Sequence, residues 1–261
     1  MTISATPSFN GRIILVNKQS KTGEVKKVIQ EKGEIKNPKA LPDIPEQYID
    51  GNTVNWKAFR KDIADSEAKQ KLPELQENLS EYRKNKDYQA VLNYFGIETK
   101  ENEDGSLTLS RYSQPEKGIT FEMLGIDENE MFQNVSEIEG DGDFLNSSLK
   151  SLYNCKKIGG NVRCSTSKLE TLGGLVEVGG NLNLEHSDVK SLGDLEYVGG
   201  GANFKGSKNT STDNLKHIGK NALFAYSKIK DISGREYIGG KISFYNSKLI
   251  KEDFKDIEKP E

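Results

Sequence analysis

Two cysteines, two histidines, one tryptophan and three methionines are all that 261 residues hold of those types. Each scarcity excludes a class of protein. Cys155 and Cys164 are too few to staple a small secreted scaffold, and no Cys-x-x-Cys or histidine cluster offers zinc a tetrahedral site. No metal or other cofactor is expected. His186 and His217 leave few groups for acid–base work near neutral pH. No apolar run approaches the roughly 20 residues that cross a bilayer, so no membrane partner is expected. The opening "MTISATPSFNGRIILVNKQ" lacks a charged first segment, and "IILV" is too short for a signal-peptide core. A cytoplasmic protein is the expectation, with export as an effector left open by the Ser/Thr/Asn-rich start. Nor is one sign of charge in large excess. The 37 basic residues are mixed with 40 acidic ones for a formal charge of −3, without the basic surface that nucleic acid requires.

What is present is a period. Apolar residues make up 34% of the chain and charged ones 30%, which suits a thin extended core better than a thick one. From Glu128 to Ser247 the sequence aligns without gaps in six units of 20, the third reading "KLETLGGLVEVGGNLNLEHS". Position 11 is always Ile or Val, from Ile138 to Ile238, and position 20 is always Ser, from Ser147 to Ser247. Gly-Gly fills positions 12 and 13 in four of the six units. These glycines punctuate the coil where φ > 0 or close packing excludes a Cβ; a phosphate cradle would occur once, before a helix. Positions 15 and 17 are apolar between mostly polar neighbours, the alternation of a short strand with one buried side. Positions 2, 5, 8 and 11 are apolar at intervals of three, as in a 3₁₀-like return path. Such a coil buries its apolar edge only by stacking on its neighbours.

Leu182-x-Leu184-x-x-Ser187-x-Val189-x-x-Leu192 resembles the leucine-rich-repeat pattern, with Ser in the place of Asn. Leu192-x-x-Leu195-x-x-Val198-Gly-Gly is similar to the coils of receptor L domains. The resemblance covers roughly residues 106–250. It implies a mainly β fold with an α-helical amino-terminal cap: a right-handed solenoid of coils of about 20 residues around a parallel β-sheet, in a bacterial repeat protein. It also implies a non-enzymatic scaffold that binds a protein partner. Serine in the Asn place predicts a weaker ladder between successive turns. The longer "VGGN" turn leaves a curved horseshoe and a straighter β-solenoid both open.

The ends need caps, because an open solenoid exposes apolar faces and sheet edges. Residues 1–50 read as a β-hairpin over 11–30 followed by a charged linker. Residues 51–97 read as a helical cap with its aromatics docked on the first coil, or as a separate adaptor module. There Trp56, Phe59 and Ile63 share a face, Pro73 stands near a helix start, and Asp87 and Gly96 bound a last helix. Residues 98–127 form an irregular first coil, 128–247 the six repeats, and 248–261 a carboxyl-terminal cap in which Leu249, Phe254 and Ile257 cover the last coil.

Catalytic and metal readings are weak. His186 beside Glu185 lacks a third group and a pocket, and His217 lies in a variable, solvent-facing column. "EIEGDGDF" spaces Glu139, Asp141 and Asp143 like a calcium loop, yet each fills an ordinary repeat position and no following bidentate Glu appears. Cys155 and Cys164 replace Leu or Phe in core columns and read as small buried apolar residues. In the fifth unit, Asn209 and Thr212 occupy apolar columns, which predicts a looser return segment there, with a notch or hinge as the alternative.

The outward side of the sheet remains. Positions 16, 18 and 19 change from coil to coil while the structural columns repeat, which suggests a binding surface. The candidate residues are Asp143, Arg163, Asn183, Glu185, His186, Asn203, Lys205, Tyr226, Tyr245 and Asn246. The carboxyl-terminal end is the better half, where Leu223, Tyr226 and Tyr245 cluster. A protein is the expected partner, and a glycan is the alternative that stacked aromatics with Asn/Asp would serve.

Overall fold

The computed structural model describes residues 14–18, 25–30, 33–34, 49–50, 53–54, 56–116, 118–165, 167–232, 234–254 and 257. The chain divides into two compact units, Met1–Gln70 and Lys71–Glu261.

In the first unit, β1 (Ile14–Lys18) and β2 (Val25–Gln30) pair antiparallel, with an irregularity between Asn17 and Lys18. β3 (Gly33–Glu34), β4 (Ile49–Asp50) and β5 (Thr53–Val54) complete an antiparallel sheet in the order β3-β2-β1-β5-β4. Two of these strands lie within the span read as a linker; residues 35–48 of that span are outside the described residues. So are the side chains of Trp56, Phe59 and Ile63.

α1 runs from Trp56 to Asn78 with Pro73 inside it, not near its start. One missing N–H is tolerated within a helix of 23 residues, because the turns on either side stay hydrogen-bonded. α2 (Ser80–Asn85) ends on Lys86 in the left-handed region, and α3 (Tyr88–Tyr94) starts at Asp87, whose side chain accepts from the Ala90 amide. In the second unit these helices pack on residues 112–132. Arg83 Nη1 donates to Leu124 O at 2.7 Å, Lys86 pairs with Glu130 at 2.6 Å, and Phe95 meets Phe121 edge-on at 5.9 Å.

β6 (Thr99–Glu101) and β7 (Leu107–Leu109) form an antiparallel pair, and β7 then pairs parallel with the first repeat strand. The first repeat opens with a helix, α4 (Glu128–Phe132), in place of the expected return path. Its Glu128 is fully buried and accepts five hydrogen bonds. Tyr112 Oη, Gln114 Nε2 and Ser147 Oγ donate to one oxygen; the Ser148 amide and hydroxyl donate to the other. A buried carboxylate without such donors would cost several kcal/mol. Burial and the Glu128 charge together hold the Tyr112 phenol well above its usual range.

Each repeat then contributes two strands, not one. The first set is β8 (Val135–Ile138), β10 (Lys157–Ile158), β12 (Glu177–Val178), β14 (Tyr197–Val198), β16 (His217–Ile218) and β18 (Tyr237–Ile238). The second is β9 (Gly142–Asp143), β11 (Val162–Arg163), β13 (Leu182–Asn183), β15 (Ala202–Asn203), β17 (Ala222–Leu223) and β19 (Ile242–Ser243). Each set makes its own parallel sheet, with β7 and β6 extending the first. Register advances by one repeat: Ile158 faces Val178 and Arg163 faces Asn183. Bridges Thr171–Ser191 and Ser211–Asp231 mark a third side. The molecule is thus a β-solenoid with parallel sheets and few helices. A two-residue strand running into Gly-Gly shows no alternation, which is why the first sheet is invisible to a period-2 search.

The interior is one column per apolar position. Ile138, Ile158, Val178, Val198, Ile218 and Ile238 are wholly buried, as are Phe144, Cys164, Leu184, Phe204 and Phe224. Phe254, in a 3₁₀ turn (Lys251–Phe254), stacks on Phe244 at 5.1 Å, with Leu249 and Ile257 buried nearby in sequence.

The glycine turn is fixed by close approach. A Cβ on Gly159, Gly179, Gly219 or Gly239 would overlap the position-12 carbonyl oxygen of the coil before. The ladder between turns belongs to position 14, not to serine. Asp141 Oδ1 accepts from the Asn161 amide and side chain at 2.6 and 3.0 Å, and Asn161 Oδ1 does the same for Asn181 at 3.0 and 2.8 Å. The Ser167 and Ser247 hydroxyls donate back to Cys164 O and Phe244 O within their own coil. Serine at position 20 is a small residue closing a turn, and apart from Ser147, which donates to Glu128, its hydroxyl makes no bond to another element among the described residues.

Candidate functional site

The outer face of the second sheet is shaped by two local devices. At position 16, the Asp143, Asn183 and Asn203 side chains accept from the amides two residues on, Leu145, Glu185 and Lys205, at 3.1, 2.9 and 3.1 Å. This Asx geometry bends the chain out of each strand. At position 19 the backbone turns left-handed, with φ of 58° at Asn146, 53° at His186, 64° at Gly206, 57° at Tyr226 and 51° at Asn246. Gly, Asn and His are the residues that adopt this region most readily. Part of the variation read as surface freedom therefore answers to backbone geometry.

The candidate residues fall into two groups. In the earlier coils they neutralise one another. Arg163 pairs with Asp143 at 3.2 Å, and Lys205 pairs with Glu185 at 3.0 Å. Asn203 Nδ2 also donates to Glu185, at 3.2 Å. The Lys205 hydrogen bond is the main reason that the Glu185 carboxyl sits below its ordinary range. His186 Nε2 lies 3.8 Å from Glu185 Oε1, and its ring rests against Gly206. Glu185 is thus already engaged by Lys205 and Asn203.

The last two coils differ. Tyr226 is 51% exposed and Tyr245 72%, and their rings meet edge to face at 5.6 Å. Leu223 is also exposed, and Asn246 follows Tyr245 directly. The structure therefore brings Leu223, Tyr226, Tyr245 and Asn246 to one end and the charged candidates to the coils before it.

Sequence reasoning missed the lysines at that end. Lys150 and Lys190 reach Glu170 at 3.6 and 2.6 Å, Lys208 reaches Asp188 at 2.6 Å, and Lys216 reaches Glu196 at 3.0 Å, each one coil away. Lys220, Lys228, Lys230, Lys241 and Lys248 are exposed and make no ion pair among the described residues. The signal was in the repeat alignment. Charge balanced over the whole chain hides a run in which lysines outnumber acids seven to three over residues 208–248.

On the outer side of the first sheet, His217 is not merely solvent-facing: it stacks between Tyr197 and Tyr237, both centroids at 4.6 Å. Cys155 and Cys164 are free and buried, and burial pushes the Cys155 thiol up to about 12 and the Cys164 thiol further in the same direction. Such thiols stay protonated and unreactive.

Asn209 and Thr212 are wholly buried, yet the third side is altered at this coil as expected: no bridge joins Ser191 to Ser211 among the described residues, the Leu192 amide donates to the Asp213 carboxylate at 2.7 Å, and the bridge resumes at Ser211–Asp231. Beside Thr212 stands Arg235, in a core column that holds Val, Cys or Leu elsewhere. Its guanidinium donates to Thr212 O at 3.0 Å and Asp213 O at 2.9 Å. Burial lowers its pKa to about 10. Asn209 Nδ2 donates to Ser211 O, while Asn209 Oδ1 and Thr212 Oγ1 meet no partner.

Among the described residues no group of three His, Cys, Asp or Glu is placed to hold a metal ion, and no helix is long and apolar enough to cross a membrane. Against known proteins, no family model matches the chain, and neither a curated protein nor a solved structure does.

Proposed function

We propose that the protein is a non-enzymatic scaffold, a right-handed leucine-rich-repeat-like solenoid whose second sheet binds another protein through its outer face. The observation that carries this reading is Tyr226. A bulky residue in the left-handed region costs roughly 1–2 kcal/mol, and Tyr226 offsets only part of that by burial, since half of it faces solvent. Strain retained at an exposed aromatic is what a contact residue costs a fold. The leucine-rich likeness is supported by Leu192, Leu195 and Val198, buried at three-residue spacing up to and into β14.

The test is an affinity pull-down with two baits. One is the intact chain; the other carries Arg163→Glu, Lys205→Glu and Tyr245→Ala, with circular dichroism showing that both fold. A partner captured by the first and lost by the second supports the sheet face. A partner kept by both sinks it. The tyrosine pair with Asn246 also suits a glycan, and an array of glycans binding the intact chain in place of any protein would favour that second reading.

A further inference from the structure

We infer that the carboxyl-terminal end of this face takes an acidic segment of the partner, its apolar side chains on Tyr226 and Tyr245 and its carboxylates on the flanking lysines. This inference rests on the protein-binding reading and adds the partner's chemistry to it.

Charge is distributed unevenly along the solenoid. Residues 128–147 contain six acidic residues and no lysine or arginine. Residues 208–248 contain seven lysines and one arginine against three acidic residues. Between them, most lysines are met by carboxylates one coil away, as Lys190 is by Glu170 and Lys205 by Glu185, while Lys156 reaches Asp194 two coils on and Lys168 reaches Glu122. Lys208 and Lys216 are still paired in this way, but from Lys220 to Lys248 no lysine makes an ion pair among the described residues.

The uncompensated lysines stand on both sides of the exposed aromatics. Lys241 immediately precedes β19, and Lys220 lies two residues before β17. Lys228 and Lys248 follow Ser227 and Ser247, which close the turns beyond Tyr226 and Asn246. Neighbouring coils are about 4.8 Å apart, so two adjacent coils make a short basic row along each border, with Leu223, Tyr226 and Tyr245 between. Five exposed ammonium groups repel one another until an anion arrives, and a carboxylate-bearing segment gains from all of them at once. An acidic peptide fits better than nucleic acid. A phosphate chain longer than this end would run toward the earlier repeats, where the carboxylates of the first repeat other than the buried Glu128 oppose it.

The test uses labelled peptides of one length in which Leu and Tyr alternate with Glu, with Gln or with Lys, and an oligothymidylate of matched charge. Fluorescence anisotropy is read on the intact chain, on Lys228→Glu/Lys241→Glu/Lys248→Glu, and on Tyr226→Ala/Tyr245→Ala, each checked by circular dichroism. The Glu peptide is expected to bind on the order of tenfold more tightly than the Gln peptide, and added salt to erode that preference. The lysine variant is expected to lose the preference, and the tyrosine variant to weaken both peptides. Equal binding of Glu and Gln peptides, tighter binding of the oligothymidylate, or no peptide binding overturns the inference. If Glu and Gln bind equally and both are lost with the tyrosines, the protein-binding reading stands while the acidic partner falls.

Discussion

The second to fourth repeats and the last two share one backbone register, the Ile/Val column and the glycine turn, and differ in what else they bury and expose. From 148 to 207 the interior is aliphatic apart from Phe204, two thiols and the small buried serines, and the lysines outside are largely paired across coils. From 208 to 247 the interior admits Asn209, Thr212 and Arg235, and the outside shows two exposed tyrosines and unpaired lysines. The parallel ladders continue through both, as Tyr197–His217 and Ala222–Ile242 pair in the same register as Lys157–Glu177. The difference teaches that the backbone ladder and the glycine turn carry the architecture, while side chains inside and outside are free to depart from pattern. They depart together, in the same two coils. Natural sequences break their local rules chiefly at functional sites, which points to the carboxyl-terminal end.

The largest expected effect contrasts one interior column in the two regions. Leu192→Ala should cost about 2–5 kcal/mol of unfolding free energy, as a buried leucine truncated to a cavity does. Thr212→Ala, in the same column one coil on, should cost about 1 kcal/mol or less, because its hydroxyl has no partner to lose. Denaturant unfolding measures both, and equal losses would erase the contrast.

Next is conversion of the polar interior to the apolar pattern. Asn209→Val, Thr212→Leu and Arg235→Leu together should raise stability by about 1–4 kcal/mol, since buried ionic groups replaced by packed hydrophobes commonly gain that much. A destabilised triple variant would mean that Arg235 is needed to hold the last two coils together.

A pH dependence belongs to the apolar region. Burial raises the folded pKa of Cys155 to about 12 and moves Cys164 the same way, from an unfolded thiol near 8.5. The unfolded chain therefore loses these protons first as pH rises. Stability is fully present below about pH 8.5 and falls above it by up to about 1.4 kcal/mol per pH unit for each thiol. In Cys155→Ala/Cys164→Ala the baseline is lower, but the slope between pH 9 and 11 should be shallower than in the intact chain. An unchanged slope would contradict the burial of these thiols.

The smallest effect is the most informative about function. Tyr226→Gly relieves the left-handed strain, so stability should hold or rise by up to about 1 kcal/mol. Partner binding should fall in the same variant. Loss of both together would make Tyr226 a structural residue.

Much of this was legible in the sequence, and the limits were physical. Ile138 to Ile238 and Phe144 to Phe244 announce stacked coils because an identical column must face an identical neighbour. The first sheet escaped because Lys157–Ile158 and its equivalents are too short to show alternation. Glu128 escaped because a buried charge follows no apolar pattern; only Tyr112, Gln114 and the two serines around it make sense of it. Arg235 was hidden by reading columns singly, since its role appears only beside Thr212 and Asp213 of the preceding coil. At the face, the tyrosine cluster was visible, whereas the Asx turns at Asn183 and Asn203 and the left-handed position 19 need backbone angles.

The most direct test of the central claim, that the last two coils are the binding end, is a pair of charge and ring variants in one pull-down. One bait carries Tyr226→Gly and Tyr245→Ala, the other Arg163→Glu and Glu185→Lys, with the folded fraction of each matched by circular dichroism. The account predicts that the partner is lost from the tyrosine bait and retained on the charge bait. Loss from the charge bait alone would place the contact in the ion-paired coils and contradict it.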